Sequence, residues 1–148
     1  MMNEEVRSIM STEVVTVFPT QTVKSVAKVM LREHLQQLPV VDEAGRLVGV
    51  ITSYDLWKNR RKEGKQSEKT PVESIMTTQV VKLAPKDKVG TAAELFMDRR
   101  FKTLPVVNLE GKLKGVVTAF DIIRYSFNKA SPQPILYQEE ATSRRFRA

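Results

Sequence analysis

Two short stretches combine residue types and spacing suited to binding chemistry: Gly49-Val50-Ile51-Thr52-Ser53-Tyr54-Asp55 and Gly115-Val116-Val117-Thr118-Ala119-Phe120-Asp121. In each, a β-branched run delivers a threonine and an aspartate to the point where a helix should begin. The unpaired N–H groups and partial positive charge at such an end can hold a phosphate. Thr52 or Thr118 would add a hydroxyl donor, and Asp55 or Asp121 could accept from a ribose diol. The same Thr-x-x-Asp spacing is a capping box, in which the threonine caps the helix and the acid reaches back to the cap N–H. That box favours the longer Glu or Gln, yet both stretches carry Asp, and both open on a glycine that admits close backbone approach. Both roles can hold at once.

The remaining residues argue against catalysis. Among 148 residues there is no cysteine, which removes disulfides, thiolate nucleophiles and Cys-bound metals. The single histidine, His34, stands in phase with an apolar stripe and reads as a boundary residue, so neither a His-built metal site nor a Ser/His/Asp triad is expected. No phosphate loop of the GxxxxGK type and no GxGxxG occurs. The expectation is a protein that is not an enzyme and has no obligatory cofactor. With 41% hydrophobic and 28% charged residues the composition is that of a globular chain, large enough for one ordinary domain. No apolar run approaches the roughly 20 residues of a membrane span, and the acidic start, MMNEEVRSIM, is unlike a signal peptide. A cytoplasmic location without membrane contact is expected.

The elements that must position these motifs emerge from an internal repeat. VRSIMSTEVVTVFP (Val6 to Pro19) returns as VESIMTTQVVKLAP (Val72 to Pro85), and LPVVDEAGRLVGVITSYDL (Leu38 to Leu56) as LPVVNLEGKLKGVVTAFDI (Leu104 to Ile122). A constant offset of 66 aligns the copies without a gap, with 20 of 51 positions identical, including Gly and Pro, so chance similarity of amphipathic segments is a poor explanation. Within each copy Val14, Val15 and Val17 predict a short strand ended by Pro19. Val23, Val26, Ala27, Met30, Leu31 and Leu35 follow a helical spacing, matched by Val89, Ala92, Ala93, Phe96, Met97 and Phe101. Leu38 to Val41 and Leu47 to Ile51 predict a hairpin around Gly45, matched around Gly111, and a further helix opens at Thr52 or Thr118. Each unit is β-α-β-β-α. Two units this small should pack their sheets together with pseudo-twofold symmetry into one α/β domain.

This pattern of Ile-Met, Val-Val, Pro, an amphipathic helix, Leu-Pro-Val-Val, a Gly turn and Gly-Val-Ile-Thr-x-x-Asp resembles the CBS domain, named for cystathionine β-synthase, in its tandem pair or Bateman module. The resemblance covers about 120 residues, with repeats at 6–57 and 72–127, a linker at 58–71 and a tail at 128–148. It implies a stand-alone regulatory module that binds an adenosine-containing ligand (AMP, ADP, ATP, S-adenosylmethionine or a relative) between the copies. It also implies a homodimer and an effector protein that receives the conformational change. Thr52 and Thr118 would then take phosphate roles, Asp55 and Asp121 ribose roles, and Thr16 and Lys82 would frame the adenine. Gln36, Gln37, Lys102 and Thr103, just before Leu-Pro, would face phosphates; two neutral glutamines in the first copy replace the cations of other members. Lys102, with Arg99 and Arg100, makes the second copy the better phosphate partner, although helix-end arginines also suit the C-terminal dipole. Tyr54 and Phe120 are either ligand contacts or, in a ligand-free dimerisation module, the plugs that fill empty clefts.

The net charge of +7 is concentrated outside the repeats. Lys58 to Pro71 holds six cations against two anions, and Arg124 to Ala148 five against two. Both segments read as mobile, solvated chain. Arg60, Arg61 and Lys62 could instead fold near the cleft and meet phosphates, or linker and tail could bind nucleic acid or an acidic partner through salt-sensitive contacts. With only Trp57, Tyr125, Phe127, Tyr137 and Phe146 to interleave these cations, specific base readout is not expected. In the tail, Ile135-Leu136-Tyr137-Gln138 is a short apolar patch that could dock on the pair or on a partner.

Overall fold

The computed structural model describes residues 2–98 and 101–130. Arg99, Arg100 and the patch at Ile135 to Gln138 lie outside the described residues. Eight elements follow in order: α1 (Val23–Glu33), β1 (Gln37–Val41), β2 (Leu47–Thr52), α2 (Ser53–Glu63), α3 (Val89–Phe96), β3 (Thr103–Val107), β4 (Leu113–Thr118) and α4 (Ala119–Ala130). The strands pair as two antiparallel hairpins, β1 with β2 and β3 with β4. Each turns on a glycine with φ near +80° (Gly45 83°, Gly111 82°), a conformation that side chains resist. The Asp42 carboxylate accepts from the N–H groups of Ala44 and Arg46, and the Asn108 side chain accepts from Glu110 and Lys112 in the same way.

The expected first strand of each unit is a single parallel bridge, Val17 to Val40 and Leu83 to Val106. Proline chemistry explains the shortness. Val17 N–H donates to the Pro39 carbonyl and Val41 N–H to the Val17 carbonyl. The next bonds of a parallel ladder would need N–H donors from Pro39 on one side and Pro19 on the other, and proline has none. Pro105 and Pro85 stop the second copy at the equivalent place.

The helical stripe is buried at Val23, Val26 and Met30 and at Val89 and Ala92, but Leu31 is 77%, Leu35 38% and Met97 83% exposed. His34 accounts for Leu35: it closes α1 as a left-handed cap (φ 55°), its N–H on the Met30 carbonyl, and turns the chain off the helix face. The linker also departs from expectation. Lys58 to Glu63 completes α2 and Gly64–Lys69 forms a 3₁₀ stretch packed on α1 and α2, with Ser67 buried. Lys and Arg are good helix formers, and Arg60, Arg61 and Lys62 sit where the helix dipole favours cations.

The two copies exchange their leading segments. Val6, fully buried, belongs with Ile9 and Met10 to the core of Leu83, Val89, Leu104, Val106 and Val117; Val72, Ile75 and Met76 join that of Val17, Val26, Leu38, Val40 and Ile51. Main-chain bonds secure each exchange, Val6 to Asp87 and Val89 to Glu4 in one direction, Val72 to Gln21 and Val23 to Thr70 in the other. Ser11 pairs with Val116 and Thr77 with Val50. Close approach here explains the motif glycines. A Cβ on Gly49 would stand 2.6 Å from Met76 Sδ and 2.9 Å from the Thr77 carbonyl oxygen; on Gly115 it would stand 2.7 Å from the Ser11 carbonyl oxygen. The approach that these glycines admit is that of the other copy's chain.

Equivalent residues also meet at the pseudo-twofold axis. Arg46 bridges Lys112, with Leu47 N–H on the Gly111 carbonyl and Leu113 N–H on the Gly45 carbonyl. Gln37 Nε2 donates to the carbonyl of Thr103, its own counterpart, at 3.3 Å.

Candidate functional site

Strand register brings four of the sequence-assigned residues together. Gln37 pairs with Thr52 and Thr103 with Thr118, and the Gln37–Thr103 bond joins the two pairs across the axis. The centre of the molecule is therefore a polar junction of two strand ends and two helix starts. Gln36 lies beside it, its carbonyl accepting from Ser53 N–H.

Both capping boxes form. Thr52 Oγ1 accepts from Asp55 N–H at 3.1 Å while Asp55 Oδ2 accepts from Thr52 N–H at 3.0 Å. Thr118 and Asp121 repeat this at 3.2 and 2.8 Å. The two carboxylates differ in their second oxygen. Asp121, buried, has Oδ1 taken by the Arg124 guanidinium at 2.9 Å, and Arg124 also lies over the Phe120 ring. Asp55 Oδ1 has no hydrogen-bond partner among the described residues, because its neighbour Lys58 lies over the Tyr54 ring, 5.1 Å from its centroid.

Each acid opens into a groove shared with the exchanged segment of the other copy. One, of about 500 Å³, is lined by Asp55, Lys58, Asn59, Lys62 and Ile75. The other, of about 370 Å³, includes Ile9, Asp121, Arg124, Tyr125 and Asn128, the positions offset by 66. Asn59 and Lys62 fall within the expected linker; their spacing of four and seven residues from Asp55 is the helical signal that places them on its face. Sequence reasoning did not single out Asn59.

Other assigned residues lie elsewhere. Lys82 is exposed in a third cleft with Arg7, Lys86, Asn108 and Leu109, and Lys102 is exposed just before β3. Thr16 is half-buried beside the Val17 bridge. Tyr54 and Phe120 are each 61% exposed, Tyr54 stacked on Trp57 with 6.0 Å between centroids. Arg60 pairs with Glu68 at 3.2 Å and Arg61 lies over Trp57, so of Arg60, Arg61 and Lys62 it is Lys62 that lines the Asp55 groove, together with Lys58. Among the described residues no cluster of His, Asp and Glu could hold a metal, and no helix is long and apolar enough to cross a membrane.

Fold and site define a class: an α/β module of two interlocked repeats, with related grooves beside the Thr-x-x-Asp helix starts. The CBS domain family model matches twice, at residues 6–56 and 72–128. The chain belongs to the CBS domain family, as a tandem pair.

Among its relatives, the uncharacterized protein MJ1225 of Methanocaldococcus jannaschii is 35% identical over 133 residues; the match covers 83% of this chain and 47% of that protein. The chain thus spans about half of that relative, and less than a quarter of the enzymes that it also matches. In structure it is similar to CBSX2 of Arabidopsis thaliana in complex with AMP (TM-score 0.77, 26% identity, 86% of this chain and 98% of that one). It is also similar to the CBS domain pair of MJ0100 in complex with 5′-methylthioadenosine and S-adenosylmethionine (TM-score 0.70, 30% identity, 84% and 97%).

Proposed function

We propose that this CBS pair is a non-catalytic regulatory module that binds an adenosine-containing ligand between its repeats, AMP, ADP, ATP or S-adenosylmethionine, and passes a change of inter-repeat geometry to an effector protein. The observation that carries this reading is the pair of Thr-x-x-Asp helix starts. Each combines N-terminal N–H groups, a threonine hydroxyl and a carboxylate beside a groove walled by the other repeat. A ligand that touches both repeats favours one arrangement of them, by no more than its difference in affinity between arrangements. The adenosine compounds bound by CBSX2 and by MJ0100 support the ligand class.

Thr16, Gln37, Thr52, Asp55, Lys102, Thr103, Thr118 and Asp121 remain the assigned contacts on this reading, whereas Lys82 lines the third cleft and neither of the two grooves. Tyr54 and Phe120 belong to the outer face. With Trp57, Ile123, Phe127, Leu31 and Met97 they leave large apolar side chains at the surface, which suits burial against a second copy in a homodimer. Being exposed, they do not suit the role of cleft plugs that a ligand-free scaffold would give them.

Thermal unfolding with AMP, ADP, ATP and S-adenosylmethionine, and with GMP as control, tests the reading. A ligand at 100 times its Kd should add about 2.7 kcal/mol, a rise of several degrees for a domain of this size. Asp55→Ala or Asp121→Ala should abolish that rise for the groove in use. No rise with any adenosine compound would sink the proposal.

A further inference from the structure

The two grooves differ in what they leave unsatisfied. Asn59 is only 9% exposed and lines the Asp55 groove, yet its Nδ2 is buried with no hydrogen-bond partner. A buried amide without a partner is a cost that folding alone has no reason to carry. On the same face of α2, Asp55 keeps Oδ1 available, Lys58 and Lys62 border the groove, and Ile75 forms an apolar wall from the other repeat. One acceptor, one amide and two cations match a sugar diol joined to an anion.

The second groove keeps the apolar wall, as Ile9, but has lost the unpartnered amide and the free acceptor. Tyr125 replaces Asn59, Asn128 replaces Lys62, and Arg124 sits on Asp121 Oδ1 at 2.9 Å, occupying the acceptor with a cation of the protein's own. Arginine can do this where lysine at the same position does not, because its planar fork carries several donors on one rigid group.

We infer that the Asp55 groove alone takes a ribose phosphate, with Asn59 as a contact that selects it, and that Arg124 keeps the Asp121 groove closed. The inference rests on the adenosine-ligand reading above and adds which groove is used, and by what residues.

Calorimetric titration with AMP tests it. Wild-type protein should bind one AMP per chain. Asn59→Leu should weaken binding at least tenfold while the melting temperature without ligand stays level or rises, since a buried unpartnered amide is gone. Asn59→Asp keeps the side-chain shape and substitutes an acceptor for the donor, so it should weaken binding as much. Arg124→Ala should raise the stoichiometry to two, the second site at least tenfold weaker because Tyr125 stands where the first has Asn59. Two AMP per wild-type chain, affinity within twofold of wild type in both Asn59 variants, or one AMP per chain in Arg124→Ala would overturn the inference. Loss of affinity in step with loss of ligand-free stability would do the same, as it marks Asn59 as structural. Binding of S-adenosylmethionine without AMP would overturn this inference and leave the module's general reading intact, whereas binding of no adenosine compound would overturn both.

Discussion

The starts of α2 and α4 form the same capping box, yet three residues further on one copy has Lys58 and the other Arg124, and the two carboxylates end in different states. Asp55 is left with an open oxygen beside Asn59; Asp121 is closed by an ion pair. What the copies share is what the backbone demands: threonine and aspartate to satisfy helix N–H groups, glycine to admit the neighbouring chain, proline to stop the parallel bridge. Among the positions they do not share are those on the groove face of the second helix. The frame is kept in both copies, while the two groove faces differ.

The frame is the first thing to break. Gly115→Ala should destabilise by about 1–3 kcal/mol, because the added carbon meets a main-chain carbonyl that sheet pairing holds in place. Gly49→Ala should cost slightly less, since the Thr77 carbonyl oxygen that it meets stands 2.9 Å away against 2.7 Å for Ser11, and its nearer neighbour is the flexible Met76 thioether. Denaturant unfolding of the two variants measures the ranking, and a Gly115→Ala protein as stable as wild type would remove this explanation of the glycines.

A smaller asymmetry lies at the first helices. Thr22 caps α1 by accepting from Ser25 N–H, whereas Lys88 holds the same extended backbone before α3 and makes no side-chain cap. Lys88→Thr should restore the cap and raise stability by about 1 kcal/mol. A melting temperature that fails to rise would show that the second copy gains nothing from it.

The smallest effect belongs to the hairpin turns. The backbone N–H of Arg46, then its guanidinium, and the N–H of Ala44 hold the Asp42 carboxyl below its usual 3.8. A depressed folded value means that the stabilisation is present above the ordinary carboxylate range and is lost as pH falls through the folded value. Asn108 makes the same turn bonds without a charge. Asp42→Asn should therefore leave neutral-pH stability unchanged and flatten the acid limb of a melting curve recorded against pH. An unchanged acid limb would mean that the turn does not sense the proton.

Much of the frame was legible because it repeats. The hairpins, their glycine turns, the helix starts and the capping boxes follow from local chemistry that the 66-residue offset displays twice. The exchange of leading segments was not legible, since Val6-Arg7-Ser8-Ile9-Met10 would fit either core and only long-range pairing chooses between them. The linker misled because charge count suggests solvated chain, although the helical face of Asp55, Asn59 and Lys62 runs straight through it. At the site, residue types marked Thr52, Asp55 and their twins, but the spare oxygen of one aspartate depends on where a neighbouring cation settles.

The exchange has a consequence for how such a chain can exist in pieces. A single repeat cut from its tandem would lack Val6 or Val72, the fully buried valine supplied by its sibling, and could find one only on another molecule. Its folding would then be bimolecular and would fail on dilution. Joining two repeats by 14 linker residues, 58–71, turns that encounter into a first-order event with a fixed effective concentration, so the pair keeps its shape however scarce the protein becomes.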